Sequence, residues 1–233
     1  MGTAPIAESP SAVLRRVGIV FIAVGVLDIA WLFYLTASEP GYSFGFNIFA
    51  VIVGIRMYRQ NLRTARFVAI LSACFLAAFA VMLIALPLVF PNALIRTYIR
   101  VTPMASLVGS GAFMTVALAI LWWGHQELAS PPVQAAIRFA GLDDRRFLHR
   151  PRSGFWLGGA LAIVLAAAWF FVGRTETAQE AVERARAAKG PGFHYFVSSL
   201  SISWTGQMKT DVQATVLAYT DSTIETVVLK WQK

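Results

Sequence analysis

Five apolar stretches, at residues 17–36, 44–58, 67–90, 104–124 and 155–173, are separated by polar segments and followed by a tail in which apolar residues alternate. A helix needs about 20 apolar residues to cross a bilayer core. Four stretches meet that length or come close. The second is shorter: it crosses only if Arg56 snorkels and the helix runs on toward Arg66, and a re-entrant hairpin is the alternative. In the tail, Thr175 precedes a helical stripe of Ala178, Ala181, Val182, Ala185 and Ala188, with Glu180 and Arg184 as a favourable i, i+4 pair. Gly190-Pro191-Gly192 breaks that helix. Three strand-like runs follow, with Phe196, Leu200, Ile202 and Trp204 on one parity, Val212, Ala214, Val216 and Ala218 on another, and a β-branched run from Ile224 to Trp231. Thr205-Gly206 and Thr220-Asp221-Ser222 supply the turns. The pattern predicts a membrane α-helical bundle of five transmembrane helices followed by a small α+β domain, one helix on a three-stranded antiparallel meander. Its divisions are 1–16 (N-terminal tail), 17–124 (four spans), 125–154 (basic loop), 155–173 (fifth span) and 174–233 (tail domain).

Small residues predict how the spans meet. Gly154, Gly158, Ala162 and Ala166 repeat every four residues and make a smooth stripe that another backbone can approach. Ala105 with Gly109, Gly111 with Thr115 and Ala119, and Ala69 with Ala73 and Ala77 do the same. Packing within the chain is the expectation, with a homodimer through the Gly154 stripe as the other use. Pro87 should kink or end its helix. Between the fourth and fifth stretches, Ser130-Pro131-Pro132 opens a short helix with Val133, Ile137 and Ala140 on one side, and Gly141 stops it. Such a helix is expected to lie on the inner leaflet.

Charge gives the orientation. The chain is 57% hydrophobic and only 14% charged, against about 25% for an ordinary soluble protein. Its net charge of +8 sits in the loops. That is the pattern of anionic-lipid contact, and no recognition helix or aromatic basic strand argues for nucleic acid. With the N-terminus in the cytoplasm, Arg15, Arg16, Arg56, Arg59, Arg63, Arg66, Arg138, Arg145, Arg146, Arg150 and Arg152 are inside. The outer loops then hold Glu39, Arg96 and Arg100. Trp31, Tyr34 and Trp169 mark outer span ends, and Trp122, Trp123 and Trp156 inner ones. The tail is delivered across the membrane, into the periplasm if the membrane is a bacterial inner membrane. The first stretch is expected to remain as a span, because it is long for a signal peptide and no clear cleavage site follows. The series Arg56, Arg59, Arg63, Arg66 has helical spacing and predicts one basic face, a topology determinant in contact with lipid headgroups.

Candidate chemistry is sparse. Asp28 lies eleven residues into the first stretch, roughly 16 Å deep at 1.5 Å per residue. Asn47 falls at the same depth on the second, and Ser110 and Thr115 bracket that depth on the fourth. A charged carboxylate there costs several kcal/mol, so Asp28 should be protonated, paired or wet. The cluster serves either helix register or a proton or cation path. His125 and His149 fall inside and His194 outside, so they share no metal and none ligates haem. Ser198, Ser199, Ser201 and Ser203 lack the glycine flanks and paired base of a nucleophile elbow. Cys74 is the single cysteine and sits in an apolar stretch. Neither a metal nor a cofactor is expected.

Gly18-Ile19-Val20, Leu27-Asp28-Ile29, Tyr42-Ser43, Phe46-Asn47-Ile48-Phe49-Ala50, Gly54-Ile55 and Leu62-Arg63-Thr64-Ala65-Arg66 resemble an uncharacterised family of bacterial multi-pass membrane proteins with a similar small C-terminal domain. More loosely, residues 155–233 are similar in layout to the exported domain of cytochrome oxidase assembly factors. The resemblance implies a bacterial cell membrane and an assembly or chaperone role. The expected function is non-enzymatic: an inner-membrane scaffold, assembly factor or sensor that binds a membrane or periplasmic protein through its C-terminal domain. The alternative is a small transporter or channel using Asp28 and Asn47, though the spans show no inverted repeat.

Overall fold

A computed structural model describes residues 9–38, 47–142, 153–205 and 209–232. The described residues form helices α1 (Pro10–Ser38), α2 (Asn47–Tyr58), α3 (Leu62–Val89), α4 (Asn92–Val101), α5 (Met104–Leu128), α6 (Pro131–Phe139), α7 (Ser153–Val172) and α8 (Glu176–Lys189). Strands β1 (His194–Thr205), β2 (Lys209–Tyr219) and β3 (Ile224–Gln232) complete the fold. Among the described residues three helices are long and apolar enough to cross a membrane: α3, α5 and α7, with mean hydropathies of 2.8, 1.9 and 2.2. Crossings at 17–36 and 44–58 are not shown; α1 itself runs 29 residues. Of the second apolar stretch, the described residues form a helix of 12 residues, about 18 Å at 1.5 Å per residue. The chain divides into two compact units, residues 1–78 with 116–159, and residues 79–115 with 160–233. Each of the three long apolar helices contributes to both.

In the first unit α1 and α2 form an antiparallel pair whose backbones approach closely at glycines. A Cβ added at Gly18 would stand 2.6 Å from the Tyr58 nitrogen and 2.8 Å from the Gly54 carbonyl oxygen. One added at Gly54 would stand 2.7 Å from Ile22. Farther along, Gly25 meets Val51 in the same way. Glycine at these positions lets two backbones touch, which gains dispersion where lipid supplies no hydrophobic drive. The same logic holds α7 on α3: a Cβ at Gly154 would overlap the Ile70 carbonyl, and one at Gly158 the Cys74 carbonyl.

Residues 10–16, expected in a tail, are instead the first turns of α1. Val13, Leu14 and Val17 are buried in one cluster with Met57, Ala65, Val68, Ala69, Leu128, Val133 and Ile137. The helix expected at Ser130-Pro131-Pro132 forms as α6, with Ser130 at its N-cap and Gly141 left-handed (φ 66°) just beyond its end. Its apolar side, Val133 and Ile137, is covered by that cluster and is not left for the inner leaflet. Arg16 pairs with Glu127 at 2.7 Å, tying α1 to α5.

In the second unit the C-terminal domain follows α7 directly. Thr175 caps α8 by accepting the Ala178 amide at 3.3 Å, and Gly190 ends the helix at φ 92°. Ala178, Ala181 and Ala185 are fully buried, and their small side chains let the helix lie close on Val197, Val212, Ala214, Val216 and Trp231. The sheet is an antiparallel meander in the order β1-β2-β3. Val197 faces Val216 and Leu200 faces Ala214, with a register shift between Val197 and Ser199. That bulge corrects the expected parity of β1. Phe196 shares even numbering with Leu200, but the extra residue puts Tyr195 and Val197 on the helix side and turns Phe196 to the other face. Ser198, the inserted residue, donates its hydroxyl to the Thr215 carbonyl at 3.0 Å.

Candidate functional site

The second unit brings three elements together at one place. The first is Phe90, the residue after α3. Its ring lies 5.3 Å from Phe196 of β1 and 6.5 Å from Trp169 of α7. Phe196 can reach it only because of the bulge. The second is α4, held between Pro91 and Pro103, each of which stops a helix from running through. Leu94 and Thr97 are its buried side chains. The third is the β2–β3 turn. Thr97 Oγ1 lies 2.7 Å from the Thr220 carbonyl oxygen and 3.0 Å from that of Ala93, so its one proton bonds the turn while its own helix competes for it. The turn is rigid in its own right: the Thr220 amide donates to the Thr223 carbonyl at 2.9 Å, and Thr220 Oγ1 accepts from the Ser222 and Thr223 amides. Phe90, Thr97 and Thr220 together anchor the C-terminal domain. Thr220 is legible in the sequence only as a turn residue, and Phe90 and Thr97 carry no pattern at all.

On the face of the sheet away from α8, the character changes along the strands. Near the anchor it is aromatic, with His194 stacked on Tyr219 at 5.6 Å. Tyr219 is buried, and burial pushes its phenol above the ordinary value of 10.0. At the far end Ser201, Ser203, Asp211, Gln213, Lys230 and Gln232 line an open cavity of about 360 Å³. The two edges also differ. β3 carries Glu225, paired with Lys189 of α8 at 2.6 Å, and Lys230. β1 runs 12 residues with no Asp, Glu, Lys, Arg or Pro. Among the described residues no strand pairs with its outer edge.

The residues singled out in the sequence fall as follows. Asp28 is half-buried on α1. Asn47 opens α2, and its side chain lies outside the described part of the structure. Ser110 and Thr115 belong to α5 in the second unit, both exposed, and Thr115 donates its hydroxyl to the Gly111 carbonyl at 2.8 Å. The stripe on α5 differs from the expectation at Gly109 and Gly111, where an added Cβ would meet nothing within 4 Å. Ala162 is buried and Ala166 half-buried. The four arginines do not share one helical face. α2 ends at Tyr58, Gln60 is left-handed at φ 62°, and Asn61 caps α3 through the Thr64 amide at 3.1 Å. Arg56 therefore belongs to α2, Arg63 and Arg66 to α3, and Arg59 to the turn. Arg56, Arg59 and Arg63 are exposed, whereas Arg66 donates to the Leu142 carbonyl. Residues 44–46, the run 143–152 with its arginines and His149, and Gly206 lie outside the described residues.

His125 is a surprise. It is buried, with Nδ1 3.0 Å from the Ala69 carbonyl oxygen and its ring edge-on to Phe155 at 5.1 Å. Nδ1 must carry the proton to make that bond, and the histidine thus joins α5 to α3 and α7. Among the described residues no group of three or more His, Cys, Asp or Glu is arranged to hold a metal.

No family model, no curated protein and no solved structure matches this chain. Its function is therefore argued from the residues alone.

Proposed function

We propose that this chain is a non-enzymatic integral membrane protein of the bacterial inner membrane. It holds its C-terminal α+β domain on the outer, periplasmic side as a docking module for an envelope protein, in the manner of a scaffold, assembly factor or sensor. The observation that carries the reading is the outer edge of β1. A 12-residue strand without charge or proline has, among the described residues, no strand paired to its outer edge, the feature that proteins otherwise cover or protect. An extended segment of a partner adds to such an edge through main-chain hydrogen bonds. The anchor at Phe90, Thr97 and Thr220 supports the reading, because it presents the edge in a set orientation. The orientation across the membrane is supported by how the arginines divide. Arg15, Arg16, Arg56, Arg59, Arg63, Arg66 and Arg138 flank the apolar stretches on the side read as cytoplasmic, against Arg96 and Arg100 in the outer loops.

The test is a lysine at the edge. Ile202 of β1 is exposed, and Ile202→Lys adds the charge by which natural edges refuse a strand. A partner that co-purifies with the full-length protein from native membranes should be lost, while the domain's thermal midpoint stays unchanged. Retention of the partner by the lysine variant, or a C-terminal reporter active only in the cytosol, overturns the reading.

A further inference from the structure

α4 has three sides with three different partners. Leu94 and Thr97, three apart, are its buried side, and Thr97 bonds the β2–β3 turn. Ile95, Tyr98 and Ile99, at i, i+3 and i+4, form a second side, with Tyr98 56% and Ile99 55% exposed. Arg96 and Arg100, at i and i+4, form the third. Both are exposed, and among the described residues neither makes an ion pair. A ten-residue helix with two bare arginines beside a bare apolar strip has no stable use for that strip in water.

Its place in the chain says what covers it. α4 is bounded by Pro91 and Pro103 and joins the end of α3 to the start of α5, two helices long and apolar enough to cross a membrane. A short segment between two such helices starts and ends at one bilayer surface. We infer that α4 lies in the plane of that surface as an anionic-phospholipid site. Tyr98, Ile95 and Ile99 enter the boundary between headgroups and acyl chains, and Arg96 and Arg100 bind phospholipid phosphates. Both halves of the assignment follow from chemistry: an amphipathic helix buries its apolar side a few ångströms into that boundary, and guanidinium binds phosphate with paired donors. Thr97 then gives the site a consequence. The helix that grips lipid also bonds the β2–β3 turn at Thr220, so the lipid surface sets how the C-terminal domain is held. The inference needs α3 and α5 to cross the membrane and does not depend on any protein partner.

The experiment uses full-length protein in vesicles of phosphatidylcholine with or without phosphatidylglycerol. On a Cys74→Ala background, a fluorophore is attached at Ile99→Cys or, on the outer side of α8, at Glu183→Cys. The label at 99 should be quenched by nitroxides placed high on the acyl chains and shielded from aqueous iodide. The label at 183 should behave in the opposite way. Competitive retention of spin-labelled lipids should show a preference for phosphatidylglycerol that falls by up to roughly fivefold per arginine removed in Arg96→Gln/Arg100→Gln. The Arg96→Lys/Arg100→Lys variant should keep most of it. Iodide reaching position 99 as freely as position 183 overturns the assignment, as does an unchanged lipid preference in the glutamine variant. If that variant does not fold, the depth measurement on protein with both arginines intact decides alone.

Discussion

In the unit built on α1 and α2, backbones touch at glycines, and large apolar side chains stay exposed beside the buried cluster of Val13, Leu14, Val17 and Met57. Gly18, Gly54, Gly154 and Gly158 bring main chains together, while Leu27 is 69% and Trp156 72% exposed. In the C-terminal domain the arrangement is reversed. Val197, Val212, Val216 and Trp231 point inward onto the alanines of α8. The outward side of α8 carries charge, with Arg184 paired to Glu180 at 2.8 Å. The difference teaches which solvent each part is made for. Where lipid surrounds a helix, apolar surface costs nothing outside and stability comes from close approach and dispersion. Where water surrounds it, apolar surface must be enclosed, and the core contributes about 25 cal/mol for each Å² removed from water.

Gly158→Val should break the first pattern most severely. The new side chain would fall on the Cys74 carbonyl, a backbone group that cannot swing away. Overpacking of that kind costs roughly 1–3 kcal/mol, more when backbone must move. Gly159→Val is the control one residue away, where an added Cβ meets nothing within 4 Å. Thermal unfolding in detergent should show a large loss for the first and little change for the second. Equal losses would mean that helix propensity, and not the approach of α7 to α3, sets the effect.

Val216→Ala addresses the other pattern. The residue is fully buried between β2 and α8, and its truncation should cost roughly 2 kcal/mol from lost transfer energy and the cavity left behind. Hydrogen exchange should quicken throughout β1, β2 and α8. Protection in α1 and α2 should stay as it was. Equal quickening in both would show that the two parts unfold as one.

How much of this was legible follows from what each pattern depends on. The small residues at Gly154 and Gly158, the parity of β2 and the cap at Thr175 are local signals, and the structure follows them there. The bulge at Ser198 is not legible, because its cause is a hydroxyl meeting a carbonyl on the next strand. Nor is the break at Gln60, which splits a helically spaced arginine series with a residue that has no glycine-like freedom. Gly18 and Gly54 were visible only as letters, since their value lies in an approach from another helix. Thr97 and His125 bond backbone groups far away in the chain, at Thr220 and Ala69, and nothing near them in sequence announces it.

Thr97→Val sharpens the comparison at smaller scale, because it removes a polar bond of the kind water-facing domains use. Valine keeps the shape and takes away the proton shared with Thr220. The expected cost is about 1 kcal/mol, a typical net value for one hydrogen bond. It should appear as faster exchange in the Thr220–Thr223 turn with no change at β1. A uniform loss across the domain would mean that the contact supports the fold and not only its anchorage.

The smallest effect is the ionisation of Tyr219. Burial favours its neutral phenol, so its folded pKa stands above 10.0 while the unfolded chain ionises near 10.0. Below that value both states keep the proton and the residue adds no pH dependence. Above it the unfolded state has lost a proton that the folded state still holds. Stability must then fall as pH rises, because fewer protons are bound on unfolding. Tyr219→Phe has nothing to ionise. Denaturant midpoints for the two proteins should therefore run parallel up to about pH 9, a unit below the ordinary phenol value, and beyond it the unaltered protein should lose stability relative to the phenylalanine variant. Parallel curves through pH 11 would place Tyr219 in contact with water. The enclosed aromatic end of the sheet, which distinguishes this domain from the outward-facing rings of α7, would then have to be redrawn.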